Sequence, residues 1–114
     1  NTSNIPSSWI IKNDVAFALS HVYTQQDLDT TKKVKVNLND ILSFTLIPSK
    51  SKTIDIKYLS NDGKETLLYN NLSIKKGIKF VSRELKIALP IGIDKIQILE
   101  NDEIILEKEI IVVH

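Results

Sequence analysis

The chain contains no cysteine and no methionine. The absence of cysteine excludes disulfide bonds, thiolate metal sites and cysteine nucleophiles. Only two histidines are present, His21 and His114, and the second is the last residue. The chain therefore offers few residues for a nucleophile activated by a histidine base or for a histidine cluster that binds zinc or copper. We predict that the protein is not an enzyme and that it binds no metal and no cofactor.

Glycine, aromatic residues and excess charge are also scarce. Three isolated glycines in 114 residues form no glycine-rich loop that could cradle a phosphate. The net charge of +1 gives little attraction to nucleic acid, and only 6% of the residues are aromatic. No apolar run approaches the roughly 20 residues that cross a bilayer. We predict no nucleic-acid partner and no transmembrane segment in this chain.

What remains is the composition of one globular domain, with 42% hydrophobic and 25% charged residues. The chain starts with NTSNIPSS, which is polar, contains proline and lacks periodicity. We predict a polar N-terminal tether over residues 1–13 and a single β-sandwich domain over residues 14–114. Because residue 1 is not methionine, we expect that residues upstream of Asn1 were removed by processing or by the choice of the expressed segment.

Short segments in which apolar and polar residues alternate follow one another along the chain. Residues 15–23 fit both strand alternation and helical spacing, and the β character of the following segments favours a strand. Asn61-Asp62-Gly63 predicts a tight hairpin, because these residues tolerate positive φ. The segments that alternate or are continuously apolar are 34–38, 42–46, 54–58, 67–69, 72–74, 78–80, 85–89, 96–98 and 104–113. Many short strands between regular turns are typical of a sandwich or a barrel.

Three stretches resemble bacterial immunoglobulin-like or fibronectin type III-like sandwiches. VKVNLNDILSFTL resembles a first strand, a crossing turn and a second strand, and TIDIKYLSNDGKETLLY resembles a central hairpin. LKIALPIGIDKIQILENDEIILEKEIIVV resembles the last three strands. The paired cysteines and buried core tryptophan of antibody domains are absent, and Ile93 stands near the place of their corner tyrosine. The resemblance implies an all-β, antiparallel two-sheet sandwich with an immunoglobulin-like Greek key of seven to nine strands.

The expected fold and the missing catalytic residues lead to a functional hypothesis. We predict a non-catalytic extracytoplasmic module for binding, adhesion or assembly in a bacterial surface or periplasmic protein, such as a lipoprotein. Its expected partner is a protein or a cell-surface ligand. One alternative is a carbohydrate-binding or accessory domain of a secreted enzyme, whose candidate platform residues are Trp9, Tyr23, Tyr58 and Tyr69. Another alternative is a protein inhibitor or chaperone-like domain that uses loops or an edge strand.

The last predicted strand is apolar on both faces from Ile110 to Val113. Such a strand is typically central or covered, and here it would complete the core against the first strand. If it lay at a sheet edge, it would offer unpaired backbone groups to a strand of a partner protein. Ile110 and Val112 are the candidate binding residues for that second case.

Overall fold

The computed structural model describes residues 5–24, 28–88 and 90–114. Within these ranges the chain forms ten β-strands and no helix, and the strands make two sheets. The predicted all-β two-sheet sandwich is therefore confirmed, with ten strands where seven to nine were expected. The strands are β1 (Ile10–Lys12), β2 (Val15–His21), β3 (Val34–Asn37), β4 (Ile41–Pro48), β5 (Lys52–Leu59), β6 (Glu65–Ile74), β7 (Phe80–Val81), β8 (Leu85–Lys86), β9 (Gly92–Glu100) and β10 (Glu103–Val113).

Each sheet contains five strands. In the first, which we call sheet A, the order is β1-β2-β4, and both β7 and β8 pair with the remaining edge of β4. In the second, sheet B, the order is β3-β10-β9-β5-β6. All pairs are antiparallel except β3 with β10, which run parallel.

The ambiguous segment after Asp14 is a strand. Every residue of β2 pairs with β4, from Val15 opposite Pro48 to His21 opposite Leu42. Alternate side chains of β2 enter the core, as the period of two requires. The helical spacing in this segment is thus incidental.

The core lies between the two sheets and is built from alternate residues of the central strands. Phe17 of β2 and Phe44 of β4 lie at its centre, both fully buried, with ring centroids 5.7 Å apart. Tyr69 of β6 meets the Phe44 ring edge-on at 6.3 Å. These ring contacts join sheet A to sheet B across the core.

A short turn carries the chain from sheet B to sheet A between β3 and β4. Asn39 has a φ of 73°, which asparagine tolerates better than most residues. The Asp40 carboxylate accepts a hydrogen bond from the Asn37 backbone N–H at 2.8 Å and so closes the turn. The sequence predicted a turn at this place.

The last strand, β10, has neighbours on both sides. It pairs with β9 along its length and with β3 over Ile110–Val113. Ile110 and Val112 are buried in the core, whereas Ile111 and Val113 point to the other side of the strand and are half-buried. A tight turn at Asn101 and Asp102, both at positive φ, joins β9 to β10.

Several predicted segments differ from the structure. Residues 67–69 and 72–74 were predicted as two strands but form one, β6, because bulges and a positive φ at Asn71 interrupt the alternation without ending the pairing. Within the predicted tether, Ile10–Lys12 pairs with β2, since Ile10 packs against the core. Of the four described residues of the predicted strand 85–89, only Leu85–Lys86 pairs with β4. Asn1 to Asn4 and Leu89 lie outside the described residues.

Candidate functional site

The outer face of sheet B is charged, and its charges pair with each other. Lys57 Nζ lies 2.8 Å from Glu65 Oε1, and Lys95 Nζ lies 3.7 Å from Glu107 Oε1. Gln97 Nε2 donates to the same Glu107 oxygen at 2.9 Å. This face has the ladder of polar cross-strand pairs that is typical of a solvated sheet surface.

The outer face of sheet A has a different composition. Residues paired directly across antiparallel strands point to the same side, and the neighbours of core residues point away from the core. Because Phe17 and Leu46 are in the core, Ala16, Ala18, Thr45 and Ile47 face outward. The same register defines the whole sheet A outer face: Ile11, Ala16, Ala18, Ser20, Ile41, Ser43, Thr45, Ile47, Val81 and Lys86. Lys86 is its only charged member.

Apolar side chains on this face are open to solvent. Ile11 on β1 is 59% exposed and Val81 on β7 is 56% exposed. Ala16 and Ala18, which lie between these two positions, are buried, so the face is open mainly along its borders. Large apolar side chains that are exposed on a nearly uncharged sheet face are typical of interaction sites, so this face is the candidate binding surface.

A cavity of about 200 Å³ opens at one end of the sheet A outer face. Two turns form its walls. The first joins β1 to β2 through Asn13 and Asp14, both at positive φ. The second contains Gly77, whose backbone N–H donates to the Pro48 carbonyl at 2.7 Å. The lining residues are Ile5, Ile11, Asp14, Ala16, Ile47, Pro48, Ser49, Lys76 and Gly77.

The charges at the mouth of this cavity are unequal. Asp14 is paired with Lys50, with 3.7 Å between Oδ2 and Nζ. Lys76 has no ion pair among the residues described. The cavity is therefore an apolar recess with one uncompensated positive charge beside it.

Lys76 belongs to a run of cations that the sequence analysis missed. Residues 75–86, which we call the basic strip, contain Lys75, Lys76, Lys79, Arg83 and Lys86 but only one acidic residue, Glu84. The net charge of +1 for the whole chain conceals this run, and a count over a short window would have found it. The strip includes β7 and β8 and so follows one edge of sheet A.

The four aromatic residues that were candidates for a sugar-binding platform do not share a face. Tyr23 follows β2 in sheet A and is 79% exposed. Tyr58 and Tyr69 belong to sheet B, and the Tyr69 ring packs edge-on against Phe80 at 5.3 Å. Trp9 is half-buried, and its Nε1 has no hydrogen-bond partner in the described part of the chain.

Tyr58 instead takes part in a buried polar cluster. Its hydroxyl donates to Asp94 Oδ2 at 2.5 Å. Burial, and then the hydrogen bond to the Asp94 carboxylate, raises the pKa of Tyr58 far above its ordinary value. Asp94 is 1% exposed and also accepts two bonds from Asn61, at 3.0 Å from the backbone N–H and 2.8 Å from Nδ2. This cluster fixes the β5–β6 hairpin to β9, which is a structural role.

Ile110 and Val112, the candidates for pairing with a partner strand, are 0% and 1% exposed. Their strand has neighbours on both sides at these residues. Burial within the monomer removes the basis for that hypothesis.

A second, polar cavity of about 230 Å³ lies near His21 and Tyr23. His21 Nε2 is 3.3 Å from Asp40 Oδ2, and Asn37 and Asn39 complete the rim. In residues 5–24, 28–88 and 90–114, no three histidine or carboxylate side chains come together in a group that could hold a metal ion. These ranges also contain no helix that could span a membrane.

No protein-family model matches the chain, and no curated protein matches it significantly.

Proposed function

We propose that the protein is a non-catalytic binding module that attaches to a protein partner through the sheet A outer face. The observation that carries the proposal is the difference between the two outer faces. The sheet B outer face carries several ion pairs beside the exposed Leu67 and Ile93, whereas the sheet A outer face carries a single charge and ends in an apolar cavity. Exposure of large apolar side chains beside such a cavity is typical of protein interfaces.

The exposed apolar area of this face lies at its two borders. Ala16 and Ala18 are buried and Thr45 is half-buried, so Ile11 and Val81 supply the large apolar side chains that a partner can cover. Full burial of an isoleucine or valine side chain stabilises by about 1.5–3 kcal/mol. Ile11 and Val81 are more than half exposed, so a partner that covers them recovers roughly half of that amount at each position.

The wider setting of the proposal is an immunoglobulin-like or fibronectin type III-like module of a bacterial surface or periplasmic protein. The exchange of strands between sheets supports it. The chain passes from sheet A to sheet B between β4 and β5 and returns between β6 and β7. Sandwiches of this kind commonly serve adhesion and assembly, and the extracytoplasmic location follows from that analogy of fold.

Carbohydrate binding at the polar cavity is a second candidate. Tyr23 offers an exposed ring for stacking against a sugar, and His21, Asn37 and Asp40 offer hydrogen-bonding groups beside it. A glycan array read with the wild type and with Tyr23→Ala tests it. Binding that disappears in the variant supports a sugar site, and an array without hits counts against one.

Site-specific photo-crosslinking in the source cells tests the main proposal. A photoreactive residue at position 45 lies at the centre of the sheet A outer face, and one at position 97 lies at the centre of the opposite face. We expect position 45 to give a discrete protein adduct that is absent at position 97, with the partner identified by mass spectrometry. Adducts at neither position, or equal adducts at both, would overturn the proposal.

A further inference from the structure

We propose that the segment bound by the sheet A outer face is acidic. Its carboxylates contact the lysines of the basic strip while one of its aliphatic side chains fills the adjoining cavity. This inference rests on the proposed function, because it names the chemistry of the partner at the same surface.

The charge of the chain is segregated. The basic strip has five cationic side chains and one anionic one, which gives it a net charge of +4. The other 102 residues have ten cationic and thirteen anionic side chains, a net charge of −3. A chain that is nearly neutral as a whole therefore presents a local positive field along one edge of sheet A.

The strip borders the face directly. Lys76 and Gly77 line the cavity, and Lys86 lies opposite Ile41 on the face itself. Ile78, between the lysines, is 62% exposed. Apolar contact area and positive charge thus lie side by side, in the arrangement of an interface with an apolar centre and a charged rim.

Among the described residues, the lysines of the strip are unpaired, as are Lys33, Lys35 and Lys64 outside it, whereas other lysines of the protein are held in ion pairs. Lys52 lies 3.0 Å from Glu100, and Lys57 lies 2.8 Å from Glu65. In contrast, no carboxylate of the described chain lies within ion-pair distance of Lys75, Lys76, Lys79 or Lys86. Arg83 is held by the protein, since its guanidinium stacks over the Tyr69 ring at 4.6 Å and donates to the Leu68 carbonyl. The four lysines therefore remain available for the carboxylates of a partner.

Two other occupants fit the surface less well. A second copy of the chain would bring the same lysines to a symmetric interface, where like charges repel. An anionic membrane would attract the lysines, but surfaces that insert into lipid usually present aromatic anchors. Phe80, the aromatic residue of the strip, is half-buried and packed against Tyr69.

The test is selection from a displayed random-peptide library on the purified protein. We expect wild-type protein to enrich peptides that combine aspartate or glutamate with leucine, isoleucine or valine. The variant with Lys76→Glu, Lys79→Glu and Lys86→Glu should bind the enriched peptides about tenfold more weakly or worse. The control with Lys33→Glu, Lys35→Glu and Lys64→Glu makes the same charge change at exposed sites outside the strip and should bind normally.

The variant Thr45→Arg tests the proposed binding face separately from the proposed acidity of the partner. If Thr45→Arg abolishes peptide binding and the strip variant does not, the face binds a partner but the acidic rim is wrong. If neither change affects binding, both proposals fail. If the protein enriches no peptide but binds anionic phospholipid vesicles more tightly than neutral ones, its partner is a membrane and not an acidic peptide. If the protein binds no peptide but forms a dimer that Thr45→Arg abolishes, its partner is a second copy of the chain.

Discussion

Replacement of Asp94 by asparagine tests whether one buried carboxylate holds the β5–β6 hairpin against β9. Asp94 is 1% exposed and accepts hydrogen bonds from the Tyr58 hydroxyl and from two donors of Asn61. An asparagine side chain accepts through one oxygen only and presents an NH₂ group at its other end. If the amide oxygen keeps both bonds from Asn61, the NH₂ group faces the Tyr58 hydroxyl, which must turn to accept from it. The charge-assisted bond from Tyr58 to Asp94 is then replaced by a weaker bond between neutral groups.

The expected loss follows from the number and burial of these bonds. A hydrogen bond to a charged group contributes about 1.5–3 kcal/mol, and the Tyr58 bond is the best shielded of the three. Asn61 is exposed, so water replaces part of what its two bonds supply. We expect Asp94→Asn to lower the free energy of unfolding by about 3 kcal/mol and Tyr58→Phe to lower it by about 1.5 kcal/mol.

The assay is urea denaturation of the wild type, the two single variants and the double variant, followed by circular dichroism. Because the two side chains are in contact, the double variant should lose less than the sum of the single losses, by about 1 kcal/mol. Asp62→Asn is the matched control, since it makes the same chemical change at an exposed carboxylate of the same hairpin and should shift stability by under about 0.5 kcal/mol. A loss for Asp94→Asn no larger than that of the control, or strictly additive single losses, would refute the reasoning.

Three further predictions concern titration and turn geometry. Because the pKa of Tyr58 is raised in the folded protein, the unfolded chain releases this proton first, and stability should fall as the pH rises above about 10. Urea midpoints across this range should fall less steeply for Tyr58→Phe than for the wild type; parallel curves would contradict the assignment. Asn101 and Asp102 have φ of 52° and 64°, so Asp102→Gly should raise the unfolding free energy by about 0.5 kcal/mol and Asp102→Ala should not. A Cβ at Gly92 would lie 2.7 Å from Asn61 Cγ, so Gly92→Ala should cost about 2 kcal/mol in the same assay, and an unchanged midpoint would show that Asn61 moves aside freely.

Much of the fold could be predicted from the sequence, because most strands have one buried and one exposed side. Leu42, Phe44 and Leu46 alternate with polar or less buried residues, and all three are core residues of β4. The Asn61-Asp62-Gly63 turn was predicted because its residue types tolerate positive φ, and it joins β5 to β6. Local chemistry determines both features.

The elements that were missed depend on tertiary contacts. β1 has three residues, too few for a periodic pattern, and it exists because Ile10–Lys12 pairs with β2. β6 appeared as two strands because its bulges break the alternation while the pairing with β5 continues. A single sequence gives little sign of either effect.

The candidate binding face could not be predicted because distant parts of the chain form it. Ile11, Thr45 and Val81 lie on one surface only through the register of β1, β2, β4 and β7. Each of these residues is unremarkable in its own segment. The basic strip, by contrast, is continuous in sequence and was hidden by the charge balance of the rest of the chain.

The most direct test of the account is the affinity of the partner identified by crosslinking, measured by titration calorimetry against wild type, Thr45→Arg and Gln97→Arg. Both variants place an arginine at the centre of an outer sheet face, and a thermal melt of each confirms that the fold is retained. The account predicts that Thr45→Arg weakens binding by at least about tenfold, since its long side chain blocks close contact at the centre of the face, while Gln97→Arg leaves it unchanged. Equal affinity in the two variants, or loss in Gln97→Arg alone, would contradict the claim that the sheet A outer face is the binding surface.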